Sequence, residues 1–147
     1  MITRMLSAAL ASTMAAAAIA TMAVSAESVM CPKSIETKQD VAAPQKPWES
    51  LGGSSSHELE GVIVYDGHPS RMASLVPDNE VTRAGKPVAV WTFTQTATKR
   101  IWLQCTYRGT SATLARQLDA SLKSCEVTYI AGRGGRGVAG VADVQCK

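Results

Sequence analysis

Residues 88–107 read VAVWTFT-QTATKR-IWLQCTY, and they decide the fold class. Ala89, Trp91 and Phe93 alternate with polar or smaller residues, which is the period of a half-buried strand. Ile101, Leu103, Cys105 and Tyr107 repeat the pattern after a polar stretch of six residues, 95–100. Two strands joined by a short polar loop favour an antiparallel hairpin. Trp102, on the opposite face from Ile101 and Leu103, is then either an exposed aromatic anchor or part of a second core layer.

Strand patterns continue on both sides of this stretch. Residues 59–65 form a β-branched run that ends in the turn Asp66-Gly67, and Pro69 can open a short helix over 70–76 before Pro77 ends it. Residues 125–129 and 138–146 alternate again, and the glycine-rich segment 132–137 between them reads as a hairpin loop. Residues 113–123 suit either a helix, with leucines four apart, or a strand.

Together these patterns predict a mainly β protein. We expect antiparallel sheet packed as a sandwich or a partly open barrel, with one or two short helices. Residues 49–57 end in a Gly-Gly-Ser-Ser-Ser run followed by His57, and this composition predicts a flexible loop.

The N-terminal segment has the layout of a secretory signal peptide. Arg4 is followed by an uncharged, alanine-rich run that ends in Val24-Ser-Ala26. Cleavage after Ala26 would leave residues 27–147 as a single domain, exported to the periplasm and without a membrane anchor. The formal net charge of +3 falls to +2 without Arg4, which is too small to select nucleic acid as a partner.

All four cysteines lie after Ala26, which predicts two disulfides in an oxidising compartment. Four cysteines allow three pairings, and we expect Cys105 with Cys125 and Cys31 with Cys146. A zinc site is disfavoured because the spacings of 74, 20 and 21 residues lack a close Cys-x-x-Cys pair. We therefore expect no metal and no cofactor.

The candidate binding residues are aromatic, charged or turn residues: Tyr65, Asp66, His68, Trp102, Arg133 and Arg136. Asp66 and His68 are two apart in a turn and can converge on one ligand, which leaves open a hydrolase or metal-dependent enzyme. The simpler interpretation is a turn whose aspartate bonds its own backbone. Gly132 to Gly137 matches a dinucleotide fingerprint by spacing, but the strand-like residues after it do not form the helix that the fingerprint needs. Its two arginines suit an anionic groove on a partner.

The residues also carry a family resemblance. The shared pattern is Cys31-Pro32, Tyr65-Asp66-Gly67 with Pro69, Leu75-Val76-Pro77-Asp78, Trp91-x-Phe93, Trp102-x-x-Cys105-x-Tyr107-x-x-Thr110, Leu118, Cys125-x-Val127-x-Tyr129 and Cys146-Lys147. It resembles a family of small, disulfide-bonded periplasmic proteins of proteobacteria. The resemblance implies a periplasmic β-protein associated with inhibition of cell-wall lysozymes.

From the sequence we therefore expect a non-catalytic periplasmic protein that binds another protein, with a lysozyme or a related cell-wall hydrolase as the specific target. Two alternatives stay open. One is an envelope hydrolase or metal-binding enzyme that uses Asp66 and His68. The other is a structural component of the envelope.

Overall fold

A computed structural model of the chain describes residues 29–135 and 137–147. Strands dominate, and two short 3₁₀ turns lie at Pro69–Arg71 and Arg133–Gly135. The strands are β1 (Ser34–Gln39), β2 (Gly53–Asp66), β3 (Ser74–Leu75), β4 (Asn79–Arg83), β5 (Lys86–Thr92), β6 (Ile101–Tyr107), β7 (Thr113–Gln117), β8 (Ser124–Ala131) and β9 (Val138–Cys146).

The strands form two antiparallel sheets. The first has the order β1-β2-β6-β7, with β3 also paired to β2, and the second has the order β4-β5-β8-β9. Buried side chains of both sheets, such as Val64 and Leu103 from the first and Trp91 and Val127 from the second, form one hydrophobic cluster. The predicted fold class, a mainly β protein with packed antiparallel sheet and two disulfides, is confirmed.

The strand β6 behaves as its sequence predicts. Ile101, Leu103, Cys105 and Tyr107 are buried, and the residues between them are half-buried on the outer face of the sheet. Burial of every second side chain follows from the two-residue period of a strand. Trp102 is therefore on the outer face, half-buried rather than part of the core.

The predicted hairpin of β5 and β6 is wrong. β5 pairs with β4 and β8, whereas β6 pairs with β2 and β7, so the two strands belong to different sheets. The connection between them crosses from one sheet to the other. Gln95 is buried on this crossing; its Oε1 accepts from the Ile101 N–H (3.1 Å) and its Nε2 donates to the Leu122 carbonyl (3.2 Å).

The predicted flexible loop at 49–57 is also wrong in its second half. Gly53 to His57 is the first part of β2 and pairs with β1 in register from Ile35↔His57 to Gln39↔Gly53. Backbone hydrogen bonds to β1 order this segment, although its small side chains provide little packing. Residues 113–123, ambiguous in sequence, begin as strand β7, and the predicted helix after Pro69 is a 3₁₀ turn of three residues followed by β3.

The disulfide pairing differs from the expected one. Cys31 bonds Cys105, and Cys125 bonds Cys146. The expected Cys105–Cys125 bridge would join different sheets, whereas Cys125 and Cys146 are direct neighbours across the β8–β9 ladder. Cys31 reaches Cys105 because the segment before β1 runs along the end of β6, where the Tyr107 hydroxyl donates to the Pro32 carbonyl (3.1 Å).

The predicted signal peptide, residues 1–26, lies outside the described residues. Across residues 29–135 and 137–147, no helix has the length and apolar character needed to cross a membrane.

Candidate functional site

The predicted binding residues Tyr65 and Trp102 meet on the outer face of the first sheet. Tyr65 of β2 lies directly opposite Trp102 of β6, with Ser74 on the far side of Tyr65 and Gln117 on the far side of Trp102. Opposed residues of neighbouring strands share a face. Tyr65 is buried and Trp102 half-buried, so the outer face carries an aromatic pair with Trp102 as its accessible member.

His68 joins this pair from the turn that follows β2. Its ring meets the Trp102 ring edge-on, with the ring centroids 4.6 Å apart and the planes at 72°. The Ser70 backbone N–H (3.2 Å) and the Ser70 hydroxyl (2.8 Å) donate to His68 Nδ1, so the imidazole caps the 3₁₀ turn. Gly67, at φ 93°, supplies the left-handed backbone that brings the chain round. We call Tyr65, His68 and Trp102 the aromatic patch.

Asp66 lies beside the patch with a different partner. Its carboxylate is 3.7 Å from Lys99 Nζ, an ion pair in which both side chains are more than a third exposed. Asp66 and His68 thus have separate partners rather than a shared ligand, and the His68 side chain, not the expected aspartate, caps the turn. Among residues 29–135 and 137–147, no three His, Cys, Asp or Glu side chains are placed to hold a metal ion.

Arg133 is exposed in the β8–β9 loop, away from the aromatic patch. That end of the second sheet lies beside the last residues of β6, because Arg108 Nη2 donates to the Ala139 carbonyl (2.7 Å). Trp102 is at the opposite end of β6. The structure therefore does not bring Arg133 together with the patch, and Arg136 lies outside the described residues.

His57 is a structural residue that the sequence placed in a loop. It is 8% exposed, and its Nδ1 donates to the Arg108 carbonyl (2.8 Å) while its Nε2 is 2.9 Å from Thr37 Oγ1. Because a carbonyl can only accept, the proton is on Nδ1 and Nε2 accepts from the threonine hydroxyl. A lone histidine after a run of serines does not indicate a structural role in the sequence, because its contacts depend on the long-range pairing of β1 and β2.

A groove of about 500 Å³ opens between β4, β5, β8 and β9. Glu80 is the one acid among the residues lining it, beside Tyr129 and apolar residues such as Val81 and Val138. Burial, and secondarily the negative charge of Glu80, raises the pKa of Tyr129 above its ordinary value. The phenol therefore stays protonated at neutral pH and acts only as a hydrogen-bonding group.

A family model for the type VI secretion system Tli immunity protein matches residues 54–147. The chain belongs to this Tli immunity family. The matched region runs from β2 to β9 and contains the aromatic patch, both partners of the Cys125–Cys146 bridge and the groove beside Glu80. It begins after β1 and after the loop 40–52.

The chain is also similar to a protein of comparable length. It is an uncharacterized 16.3 kDa protein in the trpG 5′ region of Azospirillum brasilense, 28% identical over 109 residues, which is 70% of this chain and 72% of the relative. No solved structure matches the chain. Tli immunity family membership agrees with the small binding protein that the sequence resemblance implied, while a lysozyme target stays a prediction.

Proposed function

We propose that the exported chain is a non-catalytic immunity protein that binds a secreted effector protein and blocks its action in the periplasm. The observation that carries the proposal is the match of the Tli immunity family to residues 54–147, which covers all strands from β2 onward almost completely. Immunity in such a family means protection by binding, so the site to look for is a contact surface.

The covalent structure supports a periplasmic location. All four cysteines are paired, and both bridges tie together elements that are distant in sequence, 74 and 21 residues apart. Disulfides of this kind form and persist in oxidising compartments. An effector met there acts on the envelope, and we propose a cell-wall hydrolase of the lysozyme type as the specific target.

The aromatic patch is the proposed contact surface. Trp102 is the accessible member of the pair that it forms with Tyr65, and tryptophan contributes more to binding free energy than most residue types, because it buries a large area at a small cost in side-chain entropy. The edge-on contact with His68 favours one orientation of the Trp102 ring in the free protein. Preorganisation of this sort lowers the entropic cost of binding.

The polar groups near the patch favour binding over catalysis. His68 Nδ1 is engaged by Ser70, and the Asp66 carboxylate by Lys99. A general base needs a free acceptor within reach of a substrate proton, and Asp66 and His68 instead shape the turn. The enzyme alternative would require both side chains to reach one common ligand.

Periplasmic co-expression tests the proposal. Type VI effectors from the same genome are directed to the periplasm of a host with and without this chain, and cell survival is scored. In parallel, the purified oxidised protein is mixed at micromolar excess with several lysozyme types while cell-wall lysis is followed. We expect rescue from at least one effector, and slower lysis if that effector class is a lysozyme-type hydrolase. Absence of rescue across all effectors, with lysis unchanged, would refute the proposal.

A variant pair then tests the surface. Trp102→Ala should weaken the complex with the rescuing effector at least about tenfold, as expected for a central aromatic contact. Leu114→Ala is the matched control, because Leu114 is a partly exposed apolar residue (43%) on β7 of the same sheet. Equal affinities of the two variants would show that binding occurs elsewhere.

A further inference from the structure

The first two strands form an arm that leaves the body of the protein. β2 has 14 residues, but only Leu59 to Asp66 pair with β6, and Gly53 to Glu58 pair with β1 alone. A register shift between Leu59 and Gly61 marks the change, since a bulge bends a strand and alters its direction. On the side of His57 away from the body, Gly53 to Ser56 of β2 are exposed. The residues of β1 that pair with them are exposed as well, except for the half-buried Thr37. This two-stranded ribbon contains four residue pairs, and a rise of about 3.3 Å per residue gives it a length of roughly 13 Å.

The root of the arm is fixed to the body. His57 joins Thr37 of β1 to the Arg108 carbonyl at the end of β6. The Arg108 N–H also donates to the Glu58 carbonyl (2.9 Å), and the Cys31–Cys105 bridge holds the segment just before β1. The arm is therefore a supported projection and not a loose hairpin.

The loop at its tip, residues 40–52, is tied by its own hydrogen bonds. Asp40 Oδ1 accepts from the Val41 N–H (2.7 Å) and from the Ser50 hydroxyl, which closes the two ends of the loop. The Trp48 N–H donates to the Gln45 carbonyl (2.7 Å) in a turn. These hydrogen bonds join the two ends of the loop and close a turn at Trp48.

Three large apolar side chains are presented there. Val41 is 60% exposed, Trp48 78% and Leu51 89%. Trp48 and Leu51 are among the most exposed large apolar residues of the described chain, and they lie on a projecting loop rather than scattered over the sheets. Large exposed apolar residues concentrated in one loop are typical of interaction sites. We call Val41, Trp48 and Leu51 the tip cluster.

We propose that the tip cluster inserts into an apolar cleft of the effector protein, as a second contact beside the aromatic patch. This inference rests on the proposed function and names the kind of surface that the partner must offer. A narrow projecting ribbon fits a concave site, and apolar side chains at its end gain free energy only where the cleft is apolar as well. The substrate cleft of a hydrolase is a surface of this kind.

Charge favours a protein cleft over a lipid surface. The loop 40–52 carries two acids, Asp40 and Glu49, against one base, Lys46, for a net charge of −1. Segments that attach to anionic bilayers combine apolar side chains with an excess of lysine and arginine. The loop 40–52 has the apolar side chains without an excess of bases.

The tip also lies outside the region shared with the Tli immunity family, which begins at Ser54. Specificity is a difference between affinities for the right and wrong partners. Contacts made by the tip would add such a difference for the effector of this chain.

The test uses the disulfide-bonded protein with the double substitution Trp48→Ser and Leu51→Ser. Val76→Ser is the matched control, because Val76 is 84% exposed but lies between β3 and β4. The probe is an inactive form of the effector that wild-type chain neutralises in the survival assay. We expect at least about a tenfold loss of affinity for the double variant and less than a twofold change for the control, with unchanged thermal unfolding of both.

Other outcomes separate the two proposals. If wild-type protein and Trp102→Ala differ in affinity while the tip variant equals wild type, the tip inference is wrong and the proposed function stands. If wild-type chain binds no effector, both fail. Binding of wild-type protein, but not of the tip variant, to phosphatidylglycerol vesicles would show a membrane contact and overturn the inference.

Discussion

Cys125 and Cys146 lie directly opposite each other on β8 and β9, with their Cα atoms 4.1 Å apart and their sulfurs bonded. Cys31 and Cys105 join the segment before β1 to the inner face of β6. The Cys125–Cys146 bridge thus links neighbouring strands of the second sheet. The Cys31–Cys105 bridge holds the start of the described chain against the first sheet.

The loop lengths predict how much each bridge stabilises the fold. Replacing both Cys125 and Cys146 by serine should lower the free energy of unfolding by about 3 kcal/mol, and the same change at Cys31 and Cys105 by about 4 kcal/mol, because the longer loop restricts the unfolded chain more. Urea denaturation of both double variants measures the difference. The reverse order, with the Cys125–Cys146 variant the less stable, would show that strain or local packing outweighs loop entropy.

Much of this arrangement follows from the sequence, but not its pairing. The two-residue period correctly placed Cys105, Cys125 and Cys146 on apolar faces. The pairing of Cys125 with Cys146 was also within reach, because the predicted hairpin loop at 132–137 leaves the two cysteines at similar distances from the turn. Finding it requires the register to be followed from the turn to the far ends of both strands.

The error at β5 and β6 has a different cause. A short polar connection looks the same whether the chain turns back within one sheet or crosses to another. The difference lies in Gln95, whose buried amide serves Ile101 and Leu122, and a single polar residue in a polar stretch gives no sign of that. The aromatic patch was predictable residue by residue, whereas the arm was not, since Gly53 to Ser56 become a strand only through β1.

Asp78 predicts a pH-dependent contribution to stability. The Thr92 backbone N–H (2.6 Å) and hydroxyl (2.7 Å) both donate to Asp78 Oδ2 and hold the pKa of this carboxyl below its ordinary value. The stabilisation is then complete above the unfolded-state pKa of about 3.9 and is lost as the pH falls through the folded-state pKa. Asp78→Asn should unfold at lower temperature than wild type at pH 7, with the gap closing toward pH 2. Thr92→Val, which keeps the N–H, should have a smaller effect; a gap independent of pH would contradict the assignment.

Gly61 is required by a close approach between strands. A Cβ built at Gly61 would lie 2.8 Å from Thr106 Oγ1, on the strand directly opposite. Threonine is stiff at χ1 and cannot swing away freely, so Gly61→Ala should destabilise the fold by about 1–2 kcal/mol through overpacking. Adding Thr106→Ala removes the clash and should recover most of the loss. A double-mutant cycle in urea measures the coupling, and additive effects would show that the cost comes from the backbone alone.

His57 makes the arm part of the body, and its removal should loosen the arm selectively. His57→Ala deletes the ring that joins Thr37 to the Arg108 carbonyl, so we expect a loss of about 1–3 kcal/mol, because two hydrogen bonds worth about 0.5–1.5 kcal/mol each are removed. The loss should be local, because the ladders of β6 with β2 and of β8 with β9 do not involve His57. Amide hydrogen exchange should therefore quicken over Ser34–Gln39 and Gly53–Ser56 and stay slow at Leu103 and Val127.

If the tip cluster binds as a preorganised unit, the same variant weakens effector binding with the tip side chains intact, since ordering the arm then costs free energy on association. Uniformly faster exchange in both sheets would instead show that His57 supports the whole fold and that the arm is not an independently ordered element.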